Sequence, residues 1–265
     1  MFKLHIVMAA LLVLSAPVAR AHGSGTADPA LHVNPDLKDC SIQFAPELTQ
    51  AAFHRFVREF GTASASKFIS APGTLGRGHV ALGLEGVAFH IDEHADAWND
   101  TFAHPDATHE LGADKRFPKL RARVGLTDRM DVGAFYTANF QANYGWLGLD
   151  ARYGLLRQRD GMPVDLSVRG AWTKTLYVDD MDLMTGTADV AAGRTFGGIV
   201  TPYVGFGGDH VLARETTATV DLKREEQTVW HGLAGVEARL RHFGIGAEVQ
   251  RSALTSVQLL VTGYF

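Results

Sequence analysis

The sequence predicts an all-β chain folded as a closed antiparallel transmembrane β-barrel of about ten strands, with a short amphipathic helix before it. Three observations carry this reading. The chain opens on an export-type leader, alternates apolar and polar residues with a period of two from about Gly78 to Phe265, and after the leader has no apolar run long enough for a spanning helix.

In the leader, Lys3 precedes an apolar core from Ile6 to Leu14, and Ala19-Arg20-Ala21 supplies small residues on either side of one position. This pattern predicts a signal peptide over residues 1–21, cut after Ala21. Cys40 is the single cysteine, which excludes an intramolecular disulfide, and it lies too far from the leader to be the lipidated first residue of a mature chain. The formal net charge of -4 argues against a nucleic-acid partner.

Residues 22–77 read as a separate N-terminal periplasmic or plug segment. Within it the period is helical near 46–60. Pro46 suits a first turn, Gly61 suits the position after the end, and Leu48, Ala52, Phe53, Phe56, Val57 and Phe60 share one side. Such a face has to be covered, either at the periplasmic mouth of a barrel or inside it as a plug. The polar face is not rich in lysine, which disfavours a berth on the membrane surface.

The barrel is expected over residues 78–265. Its clearest strand runs from Lys119 to Leu126, where Leu120, Ala122 and Val124 alternate with Lys119, Arg121 and Arg123. Leu147, Leu149, Ala151 and Tyr153 alternate with Gly148, Asp150 and Arg152. Val164, Leu166 and Val168 are set against Asp165, Ser167 and Arg169, and Val190 against Asp189. Pro202, Val204 and Phe206 are set against Tyr203 and two glycines. Val236 and Ala238 alternate with Glu237 and Arg239, and Ile245, Ala247 and Val249 with Gly246, Glu248 and Gln250. Weaker strands near Gly78–His90 and Asp131–Phe140 bring the number to about ten, with eight and twelve also compatible. An even number places both termini on the periplasmic side. Short connectors near 127–131, 157–163, 196–201 and 241–242 are then periplasmic, while long ones near 92–117 and 209–228 face outward.

Alternation by itself also fits a soluble sandwich, whose charged face meets water. Two features favour the barrel. Tyr153, Trp172, Tyr203 and Trp230 fall near strand ends, as an aromatic girdle does. The polar face also carries charges of both signs that can pair across a narrow lumen: Glu85, Arg121, Arg123, Asp150, Arg152, Asp165, Arg169, Asp189, Glu237, Arg239 and Glu248.

The last strand, with Val257, Leu259, Val261 and Phe265, resembles the C-terminal assembly signal of small bacterial outer-membrane β-barrel proteins, although Gly263 stands where a larger residue is usual. Segments 131–136 and 201–208 also look like strands of that family. The resemblance spans about Gly78 to Phe265 at the level of pattern and identifies no subfamily. It implies residence in the cell outer membrane, contact with its lipid, and insertion by the barrel-assembly machinery. It brings no catalytic residue.

Outside the wall, the densest group of ligating side chains lies in and beside the first long loop. His90, Asp92 and His94 alternate in a segment expected to be extended, so they are candidate ligands for a divalent metal, although the spacing matches no specific zinc motif. No catalytic residue and no other cofactor is expected. Asp209-His210 and Asp179-Asp180 fall in expected loops and do not reproduce the arrangements used by outer-membrane proteases or lipid deacylases. A barrel of this size fills its interior with side chains. The leading expectation is therefore a structural or surface-interaction role carried by long extracellular loops toward an unidentified ligand. The alternative is a narrow channel or transporter for ions or small apolar solutes, with a hydrolase behind both.

Overall fold

The computed structural model describes residues 32–33 and 37–265, so the leader expected over 1–21 lies outside the described residues. Among the described residues, ten antiparallel strands close into one barrel. They are β3 (Val80–His90), β5 (Asp114–Gly125), β6 (Met130–Asn139), β7 (Tyr144–Leu156), β8 (Asp165–Leu176), β9 (Met181–Gly193), β10 (Val200–Glu215), β11 (Glu225–Leu240), β12 (Phe243–Arg251) and β13 (Thr255–Tyr264). Each pairs with its neighbour in sequence, and β13 closes the ring on β3, with Val257 opposite Ala88 and Tyr264 opposite Ala81. A soluble sandwich is thereby excluded, because the sheet has no edge.

The polarity of the wall is inverted relative to a soluble protein. Leu120 is 64% exposed and Val204 62% on the outside, while Glu85 at 1% and Arg169 at 3% are buried inside. Such a wall is stable only where hydrocarbon surrounds it and the interior pairs its own charges. Short turns at 126–129, 157–164, 194–199 and 241–242 mark the periplasmic rim, and the long connection 91–113 marks the outer one.

Four expectations are corrected. Strands β10 and β11 run well past the expected boundaries, so Asp209 and His210 belong to strand rather than loop. Tyr203 points inward at 3% exposure, leaving the girdle to outward residues such as Tyr153, Trp172 and Trp230. The helix, α1, spans Gln50–Ser64 rather than 46–60, because Thr49 rather than Pro46 begins it, its side chain accepting the Ala52 N–H at 3.2 Å. Gly61 is therefore not past the end but in the last turn, where it touches the wall. A Cβ there would stand 2.4 Å from a methyl of Val211.

The fourth correction concerns direction. The even strand count fixes only the ends of the wall, and there Val80 and Phe265 exchange two backbone hydrogen bonds at the periplasmic rim. The chain before Val80 comes from the other side. Residues 37–45 lie at the outer mouth, where Phe44 N–H donates to Asp180 at 2.7 Å and Ile42 N–H to Asn143 at 2.7 Å. From there α1 enters the barrel against β9, β10 and β11, and residues 65–78 run down the lumen as irregular chain, neither helix nor strand. Over the mouth, the long connection folds into α2 (Asp96–Asn99) and β4 (Phe102–His104). Strand β4 joins β1 (His32–Val33) and β2 (Ser41–Ile42) in a small sheet.

Candidate functional site

The lumen brings together most of the charged residues singled out above, and the reason is the chain inside it. A segment that is neither helix nor strand does not satisfy its own backbone, and buried N–H and C=O groups without partners are costly. The wall supplies those partners. Arg169 donates to the carbonyl of Ser66 at 2.8 Å and to that of Lys67. Arg121 donates to Lys67 O at 3.1 Å, and Arg152 to Ala71 O at 2.7 Å and to Ser70 Oγ at 2.8 Å. Acids take the opposite role. Ile69 N–H donates to Glu248 at 2.9 Å, Ala71 N–H to Glu237 at 2.6 Å, and Leu75 N–H to Asp131 at 3.2 Å. Ile69, a β-branched residue, is held at a φ of 25°, a strained value that these contacts on both sides maintain.

The same wall residues are paired with one another. Arg169 Nε donates to Asp189 at 2.7 Å. The ring of His231 lies between two carboxylates, 2.7 Å from Asp189 and 3.1 Å from Asp209, and Thr187 donates to Asp209 at 2.7 Å. Tyr203 donates to Glu248 at 3.0 Å, Arg121 meets Glu85 at 3.1 Å, and Arg123 pairs with Asp150. Arg239 lies 3.7 Å above the ring of Tyr264, and Asp165 accepts the Gln158 N–H at 3.0 Å near the periplasmic rim. Phe68 fills the centre, its ring 4.3 Å from the Arg152 guanidinium and 6.0 Å from the ring of Tyr203. All eleven expected lumen charges thus line the interior. Asp131 and Asp209 join them, and their place was hidden by their position beside expected turns.

Above this level the lumen turns apolar. The buried face of α1 packs Phe56 edge-on to Trp98 at 5.3 Å and Phe60 against Trp146 at 5.7 Å, and Phe117 meets Trp146 at 4.7 Å. Trp98 Nε1 donates to Glu59 at 2.6 Å, and Arg55 donates to the same carboxylate at 2.8 Å, tying the loop to the helix. A cavity of about 170 Å³ lies low in the lumen, lined by residues that include Arg123, Asp131, Arg152 and Glu237. A larger trough of about 1140 Å³ lies on the outer wall, lined by small outward residues such as Ala122, Ala151, Gly170 and Ala188 together with Trp172 and Trp230; it faces hydrocarbon rather than the charged interior.

The expected metal ligands are not brought together. Strand β3 ends at His90, whose Nδ1 lies 3.0 Å from Asp114. Asp92 lies 3.4 Å from Arg55, and His94 lies 4.0 Å from Glu93. Past the end of β3 the chain turns over residues 92–95, where the Ala95 N–H donates to the Asp92 carbonyl at 3.1 Å, so His94 leaves the line of His90 and Asp92.

No family model matches the chain, and no curated protein matches it. Among solved structures it is similar to Ail, the attachment invasion locus protein of Yersinia pestis, at 14% identity and a TM-score of 0.31, over 71% of this chain and 98% of that one. It is also similar to the outer membrane protein OprG from Pseudomonas aeruginosa, at 12% identity and a TM-score of 0.32, over 74% and 99% of the two chains. An outer membrane channel from Pseudomonas putida F1 matches at 12% identity and a TM-score of 0.41, over 76% and 99%. The closed ring and the inverted wall carry the assignment themselves: such a surface has one stable solvent, and the protein is a β-barrel of the bacterial outer membrane.

Proposed function

We propose that this barrel is a closed scaffold that presents its folded outer cap to the cell exterior, with a surface-interaction role rather than a diffusive or catalytic one. The observation that carries this reading is the set of arginines and acids of the wall that bond the backbone of residues 66–75. A lumen whose charges are used to hold the chain's own segment offers no wide aqueous path. The cap is instead a built surface, in which residues 37–45, α1 and the connection 91–113 share one apolar core. Insertion by the barrel-assembly machinery, with Val257, Leu259, Val261 and Phe265 as its signal, belongs to the same proposal. Leu259 and Phe265 present their side chains on the outside of β13, at the seam.

Planar-bilayer recording of the refolded chain tests the reading. The wild type is expected to be silent, and Arg152→Ala/Arg169→Ala, which frees residues 66–71, to show conductance steps, with heat-modifiable gel mobility confirming that both are folded. Sustained conductance by the wild type would overturn the proposal in favour of a channel.

A further inference from the structure

The outer cap contains a second cluster of ligating groups, drawn from two distant parts of the sequence. Strand β2 pairs antiparallel with β4, Ser41 lying opposite Ala103. One step further along that register, Cys40 faces His104, and Cys40 Sγ lies 3.1 Å from His104 Nδ1, both residues being buried. After β4 the chain turns back at Asp106, which accepts the Thr108 N–H at 2.9 Å, and this turn returns His109 to the N-terminal segment. His109 Nε2 lies 3.6 Å from Asp39 Oδ1. The ligand atoms of Asp39, Cys40 and His109 all lie within 4.8 Å of one another. Asp39 is itself oriented: Oδ1 accepts the Cys40 N–H at 2.8 Å, and Oδ2 accepts from Asn139 at 2.9 Å.

We propose that Asp39, Cys40 and His109 form a site for a divalent metal of the zinc class, with His104 positioning the thiol. With metal–nitrogen and metal–oxygen bonds near 2.0–2.1 Å and metal–sulfur near 2.3 Å, the donors of a tetrahedral site stand about 3.3–3.7 Å apart. The His109–Asp39 separation already falls in that range, and sulfur, nitrogen and oxygen together form a donor set suited to a borderline-soft ion. On binding, the S–H bond of Cys40 breaks, its electron pair goes to the metal, and the proton passes to His104 Nδ1 and then to solvent. His109 and Asp39 keep side-chain exposures of 17% and 37%, which gives an ion a path from the exterior. The bound metal clasps residues 39–40 to the connection 91–113, and through Asn139 to the loop after β6.

The test uses the refolded full chain with cobalt(II) alone and zinc(II) alone as probes. Cobalt is expected to give a thiolate charge-transfer band that zinc displaces, and Cys40→Ser to abolish it. His109→Ala should weaken cobalt binding by about 100-fold or more, and Asn139→Ala, which releases the carboxylate, by about 10-fold. His90→Ala/His94→Ala should bind like the wild type. The proposal is overturned if protein shown to be folded by heat-modifiable mobility gives no band, if the band survives in Cys40→Ser, or if it depends on His90 and His94.

Discussion

The periplasmic and outer halves of the lumen are built from the same strands in the same phase, yet one is lined by charge and the other by hydrocarbon. Along β9 the inward residues pass from Leu183 through Thr185 and Thr187 to Asp189. Along β3 they pass from Glu85 to Val87 and Phe89. The difference follows from what fills each half. In the outer half the filling chain is a helix, which satisfies most of its own backbone and takes mainly apolar cover from the wall, with Thr185 and Gln227 donating to the carbonyls of Gly61 and His54. In the periplasmic half it is neither helix nor strand, and every unpaired carbonyl or N–H requires a donor or an acceptor from the wall. Side-chain chemistry on the wall therefore records the backbone state of its contents.

That comparison is broken most directly at Arg169. Arg169→Met removes donors to Ser66 and Lys67 and leaves Asp189 buried with less compensation, so it should cost about 3–5 kcal/mol, measured as the shift of the urea unfolding curve in detergent micelles. A loss below about 1 kcal/mol would show that the lumen charges do not hold the segment. In the outer half, Phe56→Ala should cost about 3 kcal/mol, from lost burial and the cavity left against Trp98, without opening the lower lumen to ions in the bilayer assay. An increase in conductance in that variant would show that the two halves are not independent.

The smallest effect concerns the loop that anchors Phe44. Burial raises the Asp180 carboxyl above its ordinary value, with the neighbouring Asp179 adding to the shift and the Phe44 N–H opposing it. A folded pKa above the unfolded one means a contribution that is full below the unfolded pKa and is lost as pH rises through the folded one. Asp180→Asn keeps an acceptor for Phe44 and removes the charge. It should therefore raise the unfolding midpoint slightly at neutral pH and leave it unchanged at acid pH. Equal effects at both pH values would contradict that account.

Much of this architecture was legible in the sequence, because alternation reports two solvents on either side of a strand. Arg121, Asp150, Arg169 and Glu237 stood out for that reason, as did the closing strand. The signal faded where both faces are apolar. Val211 and Ala213 point inward beside outward Leu212, so the outer part of β10 looked like loop and Asp209 went with it. Tyr203 was ambiguous because a tyrosine suits either a lipid interface or a buried acceptor such as Glu248. The path of residues 65–78 had no local mark at all, since it is fixed by partners far away in sequence. For the same reason Asp39, Cys40 and His109 gave no pattern that would mark them as neighbours.

The segment that descends the lumen has a mechanical meaning as well. It joins the exterior cap to Val80, the first residue of the wall, at the opposite rim. A pull on residues 37–45 therefore reaches the wall by two routes, at the outer rim through Asn143 and Asp180, and along the lumen to β3 beside its seam with β13. The barrel is a sleeve around its own tether, and Arg152 and Arg169 grip that tether on its way to the far rim.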